Sequence, residues 1–116
     1  MKRALISVAT AAAMFAGSAF IASAADPIEG SWKTQSGETA EIANCGGSYC
    51  ITLKTGKYAG KSIGKLSGAA GTYSGTITDP ADDKTYSGSA KVSGSGMDLR
   101  GCAMKIFCKT QKWAKM

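Results

Sequence analysis

Histidine is absent from this 116-residue chain, and with it go the usual zinc ligand and the commonest general base at neutral pH. A serine or threonine nucleophile therefore lacks the positioned base it would need. Paired acids such as Glu38 and Glu41 sit by an expected strand and read as surface charge. The expectation is a protein that is not an enzyme, with no metal and no cofactor. Past the first two dozen residues, no segment repeats apolar residues at the spacing of a helix face, so helix is at most a minor component. Cys-x-x-Cys in a βαβ setting is missing too, which argues against a thiol oxidoreductase.

What is present begins with Met1, Lys2 and Arg3 ahead of an almost wholly apolar run from Ala4 to Ala16, the pattern of a secretory leader. Gly17, Ser18 and Ser23 interrupt the run, leaving it short of the ~20 residues a spanning helix needs. Ala22-x-Ala24 places the expected cleavage after Ala24, with the bond after Ala25 as the alternative. The first cysteine is Cys45, so lipoprotein processing is not expected. Residues 1–24 thus read as a signal peptide and residues 25–116 as one exported domain.

A domain of that size buries only roughly two-thirds of the surface of its unfolded chain and gains from staples. Its four cysteines, in an oxidising compartment, are expected to form two disulfides. The full chain holds 14 basic and 8 acidic residues; without Lys2 and Arg3 the balance is +4. Outside the cytoplasm such a charge suits anionic envelope components, lipid headgroups or acidic glycans, and not nucleic acid. Lysines spread over solvated strand faces account for it equally well.

Short runs rich in Thr, Tyr, Ile, Val and Trp alternate with Gly, Ser, Asn and Asp, the pattern of strands and tight turns. Eight strands are expected: Ile28–Thr34, Thr39–Cys45, Tyr49–Leu53, Lys57–Leu66, Gly71–Thr78, Lys84–Val92, Met97–Ala103 and Phe107–Ala114. Every connection is short enough for antiparallel neighbours. A meander with one apolar face must close to hide its edges, so the fold class is all-β, a single small antiparallel barrel.

One echo fixes a register. Thr72-Tyr73-Ser74-Gly75 recurs as Thr85-Tyr86-Ser87-Gly88, and pairing Ile77 with Tyr86 sets Gly75 opposite Gly88 with both tyrosines on one face. Cys45 and Cys50 bracket one expected hairpin turn, and Cys102 and Cys108 another, so the expected disulfides are Cys45–Cys50 and Cys102–Cys108, local staples of about 2 kcal/mol each in the loop-entropy account. Asp79, Asp82 and Asp83 crowd a third turn but lack the ligand spacing of an EF-hand; they read as a solvated turn stiffened by Pro80.

Gly30-Ser31-Trp32 matches the Gly-x-Trp that opens the barrel of lipocalin-like proteins. Further pieces follow: Asp26 to Thr34, Ile42 with Cys45 and Cys50, Gly75 to Pro80 running into Lys84 to Gly88, then Leu99-Arg100-Gly101-Cys102 and Cys108 to Trp113. Along nearly its whole mature length the chain resembles an exported bacterial family, the domain of unknown function 2147. The resemblance implies a periplasmic, monomeric, lipocalin-like barrel with a proposed role in holding a small apolar molecule, and no enzymatic activity. It also implies structural roles for Gly30, Asp79 and Pro80, and an arginine, here Arg100, packed over Trp32 at the barrel base. The chain departs from the family in lacking a longer central loop around Lys54–Leu66 and in carrying Lys115 where an arginine usually follows the last tryptophan.

Two functions are in view. One is a binding module whose interior, lined by Trp32, Tyr73, Ile77, Tyr86, Leu99 and Trp113, takes a small hydrophobic or amphipathic ligand. The other is an envelope interaction or accessory protein that uses loops on a solid barrel. If the interior is open, Gly75 and Gly88 are expected to supply the room, and Gly88→Leu to fill it.

Overall fold

The computed structural model describes residues 26–103 and 107–116; the expected leader and its cleavage site lie outside the described residues. Eight strands follow one another: β1 (Gly30–Lys33), β2 (Thr39–Asn44), β3 (Tyr49–Leu53), β4 (Ser62–Ala69), β5 (Thr72–Asp79), β6 (Lys84–Ser93), β7 (Gly96–Ala103) and β8 (Phe107–Lys115). Each pairs antiparallel with the next and β8 returns to β1, so the sheet is a closed barrel without a free edge. Period-two alternation sets the inner face. In β2, Ala40 and Ile42 are buried while Glu41 is exposed; in β7, Met97 and Leu99 are buried while Asp98 and Arg100 face out.

Register follows the sequence echo: Ile77 lies opposite Tyr86 and Gly75 opposite Gly88. Both disulfides, Cys45–Cys50 and Cys102–Cys108, are present. The expected strand Lys57–Leu66 instead runs Ser62–Ala69. Its beginning is taken up by turns, in which the Gly60 N–H donates to the Leu53 carbonyl at 2.7 Å and the Lys61 N–H to that of Tyr58 at 3.0 Å. Its end continues through Gly68 to a two-residue turn at Ala70 and Gly71, whose φ of 57° and 99° are those of a primed hairpin turn. Ile51 pairs with Gly64 and Thr52 with Ser62, so Ile63 is an extra residue. This bulge lets Ile63 and Leu66, three apart, both point inward.

The start of β1 marks one end of the barrel, and that end is plugged. Asp26 to Glu29 cross it in a turn, with the Glu29 N–H donating to the Asp26 carbonyl at 2.9 Å, which is why β1 begins at Gly30 and not at Ile28. Ile28 is fully buried beneath the turn, and the Trp32 indole N–H donates to its carbonyl at 2.9 Å. The Tyr73 hydroxyl donates to the Asp26 carboxylate and accepts from the Gly71 N–H at 3.1 Å, tying the plug to the β4–β5 hairpin. Leu66, Ile42 and Met97 fill the space behind. Tyr49 packs edge-on against Tyr73 with ring centroids 5.7 Å apart; partial burial, then the Asp26 and Glu29 carboxylates, raise its phenol above the ordinary 10.0.

The cation over Trp32 is Lys115, not Arg100. Lys115 Nζ sits 4.8 Å from the ring centroid and donates to the carbonyls of Pro27 at 2.8 Å and Glu29 at 2.6 Å. Arg100 cannot take this place because its neighbour Leu99 faces the core, which turns Arg100 to the outer surface. Lys115 reaches across Gly30, whose φ of +130° suits glycine and where a Cβ would come within 3.2 Å of the lysine chain.

Candidate functional site

The opposite end of the barrel is open and leads into a cavity of about 630 Å³. Its apolar wall is formed by Leu53 at the end of β3, Ile63 at the β4 bulge, Ile77, Leu99 and Trp113. Tyr86 contributes a half-buried ring beside Ile77, its register partner. The rim is polar, with Thr34, Ser36, Glu38, Asp79, Lys109 and Gln111.

Of the six residues expected to line an interior site, the structure brings Ile77, Tyr86, Leu99 and Trp113 to the cavity wall. Trp32 and Tyr73 share the inner face but not the cavity. They sit at the plugged end, where each spends its polar atom on the N-terminal turn. Alternation gives the face of a residue but not its height along the barrel axis, which depends on the stagger between strands. Asp79 and Pro80 border the mouth. The Asp79 carboxylate accepts from the Ala81 N–H at 2.9 Å, and its carbonyl accepts from the Asp83 N–H at 2.8 Å, so this acid is tied into its own turn. Among the described residues no group of three or more acids and cysteines is placed to hold a metal ion.

Glycines on three adjacent strands bear on the cavity. Gly75, Gly88 and Gly101 stand side by side in register across β5, β6 and β7. They are not equivalent. A Cβ on Gly75 would run into the Lys65 carbonyl oxygen, and one on Gly88 would meet Ile77 Cδ1 at 2.5 Å, so those positions are already covered. Among the described residues, a Cβ on Gly101 would have only Tyr86 Cβ near it, at 3.9 Å. The unfilled space therefore lies over Gly101, not between Gly75 and Gly88.

Two ordered clusters flank the mouth. Glu38 Oε1 accepts from Ser36 Oγ at 2.6 Å and from Thr34 Oγ1 at 3.2 Å, while the Glu38 N–H donates to Thr34 Oγ1 at 3.0 Å. On β8 the Trp113 indole N–H donates to Gln111 Oε1 at 3.0 Å. Lys109 and Gln111 are not among the residues expected to line the site, yet the sequence carries a signal for them. Counting back by twos from Trp113 along one strand puts both on its inner face.

The Cys102–Cys108 bond closes the β7–β8 hairpin at this end, and Cys108 borders the cavity. The Cys45–Cys50 bond staples the plugged end, in the β2–β3 hairpin.

No curated protein and no solved structure matches the chain. One family model does, that of an uncharacterized protein conserved in bacteria (DUF2147), over residues 52–115. The matched stretch starts in β3, runs through all five later strands, and takes in the β5–β6 echo and the β7–β8 disulfide. With more than half of its length matched, the chain belongs to this bacterial family.

Proposed function

We propose that the protein is a binding module that holds a small hydrophobic or amphipathic molecule in the open half of its barrel. The observation that carries this is the cavity of about 630 Å³, with an apolar wall and a polar rim, within the size and composition range of small-molecule sites. Among the described residues no side chain covers Gly101, as one would in a filled core. The lack of histidine and the tying of Glu38 and Asp79 into local hydrogen bonds favour binding over catalysis. We further propose that it acts as an exported, periplasmic monomer; two local disulfides suit an oxidising compartment, and the leader-like start of the chain suits export.

Titration with the neutral probe N-phenyl-1-naphthylamine tests the binding role. Saturable binding near micromolar strength, ~8 kcal/mol, is expected. Gly101→Leu should weaken it at least roughly tenfold with little change in melting temperature, because the new side chain enters open space. Gly88→Leu is the wrong variant, since it collides with Ile77. Undiminished binding in Gly101→Leu would place the ligand elsewhere, and no binding at all would shift the function to the loops.

A further inference from the structure

Resting on the binding role just proposed, we propose that the ligand is a single-chain amphiphile with an anionic head, its tail against the apolar wall and its head held at the rim by Lys109 and Gln111. On β8 Trp113 is buried in the wall, and Gln111 and Lys109 follow at two-residue steps on the same face toward the mouth. An indole N–H can only donate. Its bond to Gln111 Oε1 therefore commits the amide oxygen to Trp113 and turns the amide NH2 away from it. The next inner-facing group is the Lys109 ammonium, which also only donates. An ammonium and an amide NH2 two residues apart on one strand, both bordering the cavity, make a place for an acceptor oxygen.

Among the described residues no side chain supplies that oxygen to Lys109 or to the Gln111 amide NH2. Lys54 pairs with Glu41, Lys61 with Asp83 and Lys112 with Asp98, and among the described residues no carboxylate lies within ion-pair distance of Lys109. The two acids that share the rim lie elsewhere in the chain, and each has one carboxylate oxygen engaged locally. Glu38, beyond β1, accepts from Ser36 and Thr34, and Asp79, at the end of β5, caps its own turn. A ligand with a carboxylate head and an alkyl tail would give Lys109 its counter-ion and leave both acids undisturbed.

The test compares three twelve-carbon ligands below their micelle concentrations, dodecanoate, 1-dodecanol and dodecyltrimethylammonium, by calorimetric titration of the purified protein at neutral pH. Dodecanoate should bind roughly tenfold tighter than dodecanol, the scale of one charge-assisted hydrogen bond. Lys109→Met should bring dodecanoate down to the dodecanol level and leave dodecanol unchanged, and Gln111→Leu should weaken dodecanoate alone by a smaller factor. Dodecyl phosphate, run alongside, tells a carboxylate site from a phosphate site by which of the two anions binds tighter. Equal binding of dodecanoate and dodecanol, preference for the cation, or indifference to Lys109→Met would each overturn the anion assignment while the cavity role stood. Failure of all the ligands to bind would remove the cavity role and the assignment together.

Discussion

The two ends of this barrel are made from the same strands with the same alternation, yet one is filled and the other is open. At the plugged end the inner positions carry Trp32, Tyr73, Leu66 and Met97, and the segment before β1 is drawn across them by hydrogen bonds from two aromatic side chains. Toward the mouth the inner positions carry Gly101 on β7 and, on β8, its register partner Lys109 with Gln111. The lesson is that in a small barrel an opening comes from a few small or polar residues in adjacent strands at one height. The largest fully buried side chains, Trp32 and Tyr73 among them, all lie away from the cavity wall, and burial of that kind stabilises most.

The largest effect that could break this contrast is a truncation in each half. Leu66→Ala, at a fully buried position, should destabilise by about 3 kcal/mol. Ile77→Ala, at a half-buried position beside existing space, should cost about 1 kcal/mol. Denaturant unfolding reads both, and equal losses would mean that the halves are not energetically distinct.

Next is Tyr73→Phe. It keeps the ring but strips the hydroxyl from the Asp26 carboxylate and the Gly71 N–H, a loss of about 2 kcal/mol. Its thermal midpoint should fall while probe affinity stays unchanged, because Tyr73 does not reach the cavity. A fall in affinity would mean that the plugged end and the mouth communicate.

The finest test replaces each cysteine pair by serine. Both losses should be near 2 kcal/mol by loop entropy, so stability alone will not separate them. Probe affinity should, dropping without Cys102–Cys108 at the mouth and holding without Cys45–Cys50.

Much of this was legible from residues near one another in the chain. The repeated Thr-Tyr-Ser-Gly fixed the β5–β6 register because a one-residue slip would have turned Tyr73 and Tyr86 to opposite faces. Both disulfides followed from cysteines set across hairpin turns. What was not legible depended on strands far apart in sequence. Trp32 and Trp113 look alike in an alternating pattern, and only the stagger around the closed barrel sends one to the plug and the other to the cavity. The family resemblance points to Arg100 as the cation over Trp32, although Met97 and Leu99 commit that strand's alternate positions to the core. Lys115 reaches the ring because β8 closes on β1, a pairing that no local pattern announces. The space over Gly101 was equally hidden, since whether a glycine leaves a void or is covered, as Gly88 is by Ile77, depends on the neighbouring strand.

The closure of β8 on β1 also sets a clock. Only two register pairs, Trp32 with Lys115 and Lys33 with Ala114, join the first strand to the last, and those two partners, the Trp32 indole and the Lys115 ammonium, tie the plug to that seam. The seven hairpins can form from neighbouring segments as the chain emerges, but the barrel cannot shut until its last residues are available. A chain delivered from its amino end would wait as a curled, open sheet with β1 unmatched on one side, its apolar face exposed and its cavity without a fourth wall. Long-range pairings of this kind are slow to form and leave aggregation-prone edges while they are pending. Truncating the last few residues would therefore do more than shorten a tail, because it would leave the protein permanently in that waiting state.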